Sequence, residues 1–195
     1  MKSHTTKIKT ILSLFVVIGM VGALQAQSVS NTMTGTATLV NNITINPGEG
    51  DDATVDFGQV LTNVTSAIFL DPEDEARTNV TSEASVGVFK VGGSPGTSVT
   101  IGYDTNVAMS GATGGNTYAL SWVPKVTFDQ SSPVSQSGSA NLANGAEINL
   151  NANDLNLFIG GNLVETGGNV ATPFAGGTPT PDTYSGNITI TVTIN

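Results

Sequence analysis

The chain has 195 residues, of which 38% are hydrophobic and only 11% charged, with 23 glycines, no cysteine, one histidine and a formal net charge of −9. That length suits one domain able to bury a core. His4 and three of the six basic residues (Lys2, Lys7, Lys9) fall in the first nine positions, so the rest of the chain holds no cysteine nucleophile, Ser–His triad or His/Cys zinc site.

Residues 1–26 read as an export signal. The three lysines lead into an apolar run from Ile11 to Leu24, too short to span a bilayer comfortably. The small residue Ala26 then precedes Gln27, where cleavage is expected, with cleavage after Ala23 as the alternative. The mature chain keeps Arg77, Lys90 and Lys125 against all fifteen acidic residues, a net charge of −12. Three cations cannot supply the basic track that nucleic acid requires. No later segment approaches transmembrane length, so no membrane insertion of the mature chain is expected. The protein is expected outside the cell or at its surface, held by packing and hydrogen bonds without disulfides.

After Gln27 the two-residue alternation of strands replaces any helical period. A ribbon over residues 29–39 carries Val29, Met33, Gly35, Ala37 and Leu39 on odd positions and serine or threonine (Ser30, Thr32, Thr34, Thr36, Thr38) on every even one. Ala53/Val55/Phe57 and Val64/Ile68/Leu70 follow. Val86, Val88, Phe89 and Val91 slip phase between Val88 and Phe89, which predicts a bulge. Val99/Ile101/Tyr103 comes next. Tyr118, Leu120, Trp122, Val126 and Phe128 then share one phase. Leu142, Ile148 and Leu150 flank Asn144-Gly145, a pair suited to a hairpin turn, and Leu155/Leu157/Ile159 precedes Gly160-Gly161. In the last strand Tyr184, Ile188, Ile190, Val192 and Ile194 alternate with Thr189, Thr191 and Thr193.

Threonine and valine at this density favour extended chain. Ser94-Pro95-Gly96 suits a type II turn, Asn46-Pro47-Gly48 ends the first long strand, and residues 176–181 form a loop before the last. About nine short strands predict an all-β, antiparallel two-sheet sandwich of immunoglobulin-like type. The polar stretch 72–84 has room for one helical turn. The chain divides into the signal (1–26), an N-terminal alternating strand (27–45) and the sandwich (46–195).

Carboxylates are the strong acid–base groups that remain. Glu49, Asp51 and Asp52 form one cluster and Asp71, Glu73, Asp74 and Glu75 another. Either can be read as a Ca²⁺ loop or as a solvated acidic loop, and the EF-hand spacing is absent. Glycoside hydrolysis needs two carboxylates across a cleft, yet no acidic residue is embedded in an apolar run. No catalytic residue, metal or cofactor is therefore assigned. Trp122 and the tyrosines read as core or as a sugar platform. The triplets beginning at Asn42, Asn63, Asn79 and Asn187 match the glycosylation pattern, as chance allows in so Asn- and Thr-rich a chain.

The mature chain starts and finishes with alternating strands. The N-terminal ribbon is either the first strand of its own sandwich or a strand donated to the next subunit. Its mid-strand Gly35 costs stability unless a neighbouring side chain needs the space. Under donation, Val29, Met33, Gly35, Ala37 and Leu39 enter a groove floored by Tyr184, Ile188, Ile190, Val192 and Ile194.

Thr54-Val55-Asp56-Phe57-Gly58-Gln59-Val60 after such a ribbon resembles the first sandwich strands of chaperone–usher pilins, and Met33-x-Gly35-x-Ala37 resembles their donor extension. Asp56-Phe57-Gly58, residues 89–96 with Val99 and Ile101, residues 158–163 and the ending 183–192 resemble the secreted bacterial domain of unknown function 4402 family. Together the likeness covers about residues 37–195. Unlike the better-known pilins, the chain has no cysteine pair near its first strand. The resemblance implies a fimbrial subunit at the surface of a Gram-negative-type bacterium. It implies self-association or pilin-like subunits as partners, with a periplasmic chaperone and an usher. The competing expectation is a self-contained sandwich that presents residues 110–116 or 160–172 to a glycan or host protein.

Overall fold

Valine, isoleucine and threonine fit a pleated, half-buried surface, and the computed structural model accordingly builds strands throughout. It describes residues 28–40, 54–74, 76–81, 83–153 and 155–195. These hold twelve strands and one 3-10 turn, Gln136–Gly138. In one sheet β12 (Asp182–Ile194) has β6 (Ser98–Tyr103) and β7 (Val107–Gly111) on one flank and β1 (Ser28–Val40) on the other. There β10 (Ala146–Asn149) lies beyond β6, and β2 (Thr54–Leu61) beyond β1. The second sheet centres on β11 (Leu155–Glu165), with β8 (Leu120–Asp129) on one side and β3 (Ile68–Leu70) and β5 (Gly87–Val91) on the other. Two short strands extend it, β4 (Arg77–Thr78) beside β3 and β9 (Ala140–Asn141) beside β8. Strand β7 pairs with both β12 and β8 and so joins the sheets. Among the described ladders only β1–β2 is parallel.

The core forms where inward faces meet. In β12 Tyr184, Ile188, Ile190 and Val192 are buried while Thr183, Asn187 and Thr189 are exposed, the alternation read from the sequence. Trp122, Leu120 and Val126 of β8 bury with Leu155, Leu157, Ile159 and Leu163 of β11. Residues 55–60 of β2 are buried on both faces. Along its edge the Ser85 backbone exchanges hydrogen bonds with Asp56 at 2.7 and 2.9 Å.

Several sequence expectations change. Asn144-Gly145 makes a turn, with the Ala146 N–H bonded to the Ala143 carbonyl at 3.0 Å. The strands it links do not pair with each other: β9 pairs with β8 and β10 with β6, so the turn carries the chain between sheets. Strand β11 runs straight through Gly160-Gly161. A Cβ there would strike the Leu70 and Val123 carbonyl oxygens, so the pair permits close strand approach instead of ending a strand. Half of the expected loop 160–172 is thus buried strand. No bulge interrupts β5, whose register with β11 is unbroken; Val88 and Phe89 are both half-buried. The register shift falls instead between Thr36 and Thr38 on β1. Val64 lies in a turn before β3, and 72–84 holds a turn and β4 but no helical turn among its described residues. The signal, Asn46-Pro47-Gly48, Ala53, the triplet at Asn42 and the first acidic cluster lie outside the described residues, as does the boundary at 45/46. Among the described residues no helix is long and apolar enough to cross a membrane.

Candidate functional site

The alternating ribbon becomes β1, inserted between β12 and β2. It runs antiparallel to β12 over twelve residue pairs, from Ser28 opposite Thr193 to Leu39 opposite Asp182. It runs parallel to β2 from Thr34 opposite Thr54 to Val40 opposite Leu61. The ribbon is thus a strand of its own sandwich, flanked on both sides over residues 34–39. Apart from the Asp56–Ser85 bridge, β1 is the ladder partner of β2 among the described residues.

Two glycines shape the seat. Met33, only 2% exposed, lies opposite Ile188. A Cβ on Gly87 of β5 would stand 2.6 Å from the Met33 Sδ and 2.9 Å from Val55 Cγ2, so Gly87 leaves the hollow that Met33 fills. Burying a methionine side chain this completely stabilises by about 1.5–3 kcal/mol. Gly35 lies opposite Gly186. A Cβ on it would stand 2.5 Å from Cε3 and Cζ3 of Trp122, so the indole is the neighbour whose bulk requires glycine. Trp122 is itself fixed: its Nε1–H donates to the Gly160 carbonyl at 2.9 Å, and Phe57 of β2 meets it edge-on at 6.0 Å between ring centroids.

Of the remaining donor positions, Val29, Ala37 and Leu39 lie in register with Val192, Tyr184 and Asp182. The floor holds Tyr184, Ile188, Ile190 and Val192 as expected, but Ile194 is 39% exposed. It lies one residue past the last β1 partner, Thr193, so no described residue of β1 reaches it. Gly87 and Gly186 were missed in the sequence reading, although a glycine inside an alternating strand is the signal of close approach.

A polar clamp closes the far end of the groove. Asp182 accepts hydrogen bonds from the Thr113 N–H and Oγ1–H at 2.9 Å, from Asn116 Nδ2 at 2.7 Å and from the Thr183 N–H at 2.8 Å. Asn116 Nδ2 also donates to Tyr184 Oη at 2.9 Å, and that hydroxyl donates to the Thr180 carbonyl at 2.9 Å. The proposed presenting loop 110–116 is therefore tied down at Thr113 and Asn116. The hydrogen bond from Asn116 leads in lowering the Asp182 carboxyl from 3.8 to about 2; burial opposes it, and the Thr113 and Thr183 donors add to it. Tyr118 packs edge-on to Phe174 and Tyr184. Burial first, then the charges of Glu165 and Tyr184, pushes its phenol up to about 12.

Two carboxylates of the second acidic cluster are also engaged. Asp71 pairs with Lys125 at 2.8 Å and accepts the Glu73 N–H at 3.1 Å, and Asp74 accepts the Ala76 N–H at 2.8 Å. Among the described residues no three His, Cys, Asp or Glu side chains gather as a metal site. Trp122 and Tyr184 are fully buried and form no sugar platform. No family model matches the chain, and no curated protein matches it.

Replacing Gly35 with alanine forces a methyl against the indole and is expected to cost about 1–3 kcal/mol in urea unfolding. Asp182 has a lowered folded-state pKa, so the unfolded chain binds the proton more readily. Its stabilisation is whole above 3.8 and is lost as pH falls through about 2. Urea midpoints measured across that window should fall with pH in the parent and fall less in Asp182→Asn.

Proposed function

We propose that this protein is a non-enzymatic, exported structural subunit of a fimbrial or pilus-like assembly, which forms by exchanging strand β1 between copies. The observation that carries this reading is the way β1 sits as an insert. Its ladder partners are the C-terminal strand and β2, and its Met33 and Gly35 occupy hollows made by other strands. Exchanging such a strand with an identical neighbour preserves every contact while changing which chain supplies it. Adjacent parallel strands need a crossover connection. In the sequence residues 41–53 lie between β1 and β2, and thirteen residues span at most about 45 Å when extended.

Withdrawing β1 would uncover Trp122, Phe57, Ile188 and Ile190, so a subunit awaiting assembly needs another strand in the groove. That is the chemical reason to place a periplasmic chaperone and an usher among its partners. The likeness to pilins and to the 4402 domains points the same way. A non-catalytic role is supported by carboxylates committed to backbone N–H groups and to Lys125. The self-contained binding module is the second reading, and the pairing of β1 on both flanks within its own sandwich favours it.

Because β1 completes the sandwich under either reading, the oligomeric state of the intact protein separates the two, and a variant lacking residues 27–39 shows whether a strand supplied from outside can fill the groove. Under exchange, the deletion variant folds only when a peptide of residues 27–40 or a chaperone is supplied, and the intact protein refolded at high concentration forms a ladder of oligomers in sedimentation. An intact protein that stays monomeric after refolding at high concentration, or a deletion variant that no supplied strand restores, leaves the self-contained module and removes the exchange reading.

A further inference from the structure

Asn144-Gly145 is the one asparagine–glycine step in the chain, and the groove makes no use of it. Such a step is prone to spontaneous deamidation, because glycine puts no side chain in the way of the attack. The glycine nitrogen first gives up its proton to hydroxide and then attacks the asparagine Cγ. The Cγ–Nδ2 bond breaks, and the amide leaves as ammonia with a proton taken from water. Water then opens the cyclic imide at one carbonyl or the other, giving aspartate or isoaspartate. Gly145 has φ +79°, a conformation that favours glycine, so the turn itself calls for the residue that makes the step reactive.

Both reacting groups are exposed to water, yet both are held. The Gly145 N–H donates to the Ile101 carbonyl of β6 at 2.8 Å, so its proton is not available to base until that bond opens. The Asn144 Oδ1 accepts the Tyr103 N–H at 2.8 Å. Strand β10 begins at Ala146, opposite Ile101, so beyond the end of this ladder the Asn144 side chain takes the place of a strand carbonyl. A third bond closes the corner, from the Tyr103 hydroxyl to the Leu142 carbonyl at 2.7 Å. The imide can form only when these bonds let go, which is a local opening of the corner between β6 and β10 and not unfolding of the whole chain.

We propose that Asn144 is a latent deamidation site, silent while this corner is closed and reactive once it opens, so that its conversion records the time a chain has spent with the corner undone. Isoaspartate adds a methylene to the backbone of the turn and displaces the acceptor for the Tyr103 N–H, so a converted chain does not close the corner as before. The site is independent of strand exchange, and either reading can fail without the other. The test follows residue 144 by peptide mass spectrometry in the intact protein, kept in mildly alkaline buffer with and without concentrated guanidinium chloride; Asn144→Asp marks one of the two products. Conversion in denaturant should match that of a free peptide of residues 140–149, and the folded protein should convert at least about tenfold more slowly. Tyr103→Phe removes the bond to Leu142 and should speed conversion of the folded protein about fivefold, leaving the rate in denaturant unchanged. Gly35→Ala, which weakens the sandwich at the seat of β1, should leave the folded rate as it is. Equal rates with and without denaturant, no conversion at residue 144 in denaturant, a Tyr103→Phe variant that converts like the parent, or a Gly35→Ala variant that converts as fast as Tyr103→Phe would each overturn the proposal.

Discussion

The indole of Trp122 is the point on which both sheets and the inserted strand converge. Its N–H is held by the Gly160 carbonyl of the second sheet, Phe57 of β2 packs against it edge-to-face, and its six-membered ring stands where any side chain on residue 35 would have to go. A ring fixed on two sides cannot move aside, because protein interiors are packed to the density of molecular crystals. The chain therefore needs glycine at one position of β1, and that position sets how the strand lies across the groove. Met33, two residues earlier, follows into the hollow above Gly87. Sliding β1 by one residue would turn its apolar set to the other face and bring a threonine onto the indole.

This constraint explains how a strand with partners of opposite direction on its two flanks can have a fixed register. The antiparallel ladder to β12 supplies the length, and the parallel ladder to β2 begins only at Thr34. The steric notch between them decides the alignment. At the far end of the same strand pair, Asp182 binds the loop after β7 through Thr113 and Asn116, so the groove is closed by polar contacts at one end. The opposite end opens into an apolar cavity lined by Val99, Val192 and Ile194. The three features form one continuous surface along β12: a clamp, a seat for a strand, and a hollow beyond the strand's first residue.

Much of this was legible in the residues. The all-β class followed from Thr and Val alternation, the buried face of β12 from its odd–even pattern, and the need for space at Gly35 from a glycine placed inside a strand. The neighbour that needs that space was not legible, because Trp122 lies 87 positions away and only the fold brings it there. The same limit explains the misreadings. Asn144-Gly145 has hairpin chemistry, but whether the flanking strands pair depends on competition from β8 and β6. Gly160-Gly161 has the composition of a strand end and is in fact a crossing point where the Leu70 and Val123 backbones come close. Ile194 continues the alternation of β12 beyond the reach of β1, so the pattern alone could not separate it from the buried residues. The length of a ladder is a property of two segments, and periodicity reads one.

The account stands on the contact between residue 35 and the indole, and a double-mutant cycle measures that contact directly. Unfolding free energies are needed for the parent, Gly35→Ala, Trp122→Leu and the pair. If the indole is what forbids a side chain at residue 35, the alanine is much less costly once the ring is trimmed, and the two changes couple by at least about 1 kcal/mol. Additive costs would mean that Gly35 is required for some reason other than Trp122, and the seat described for β1 would be wrong.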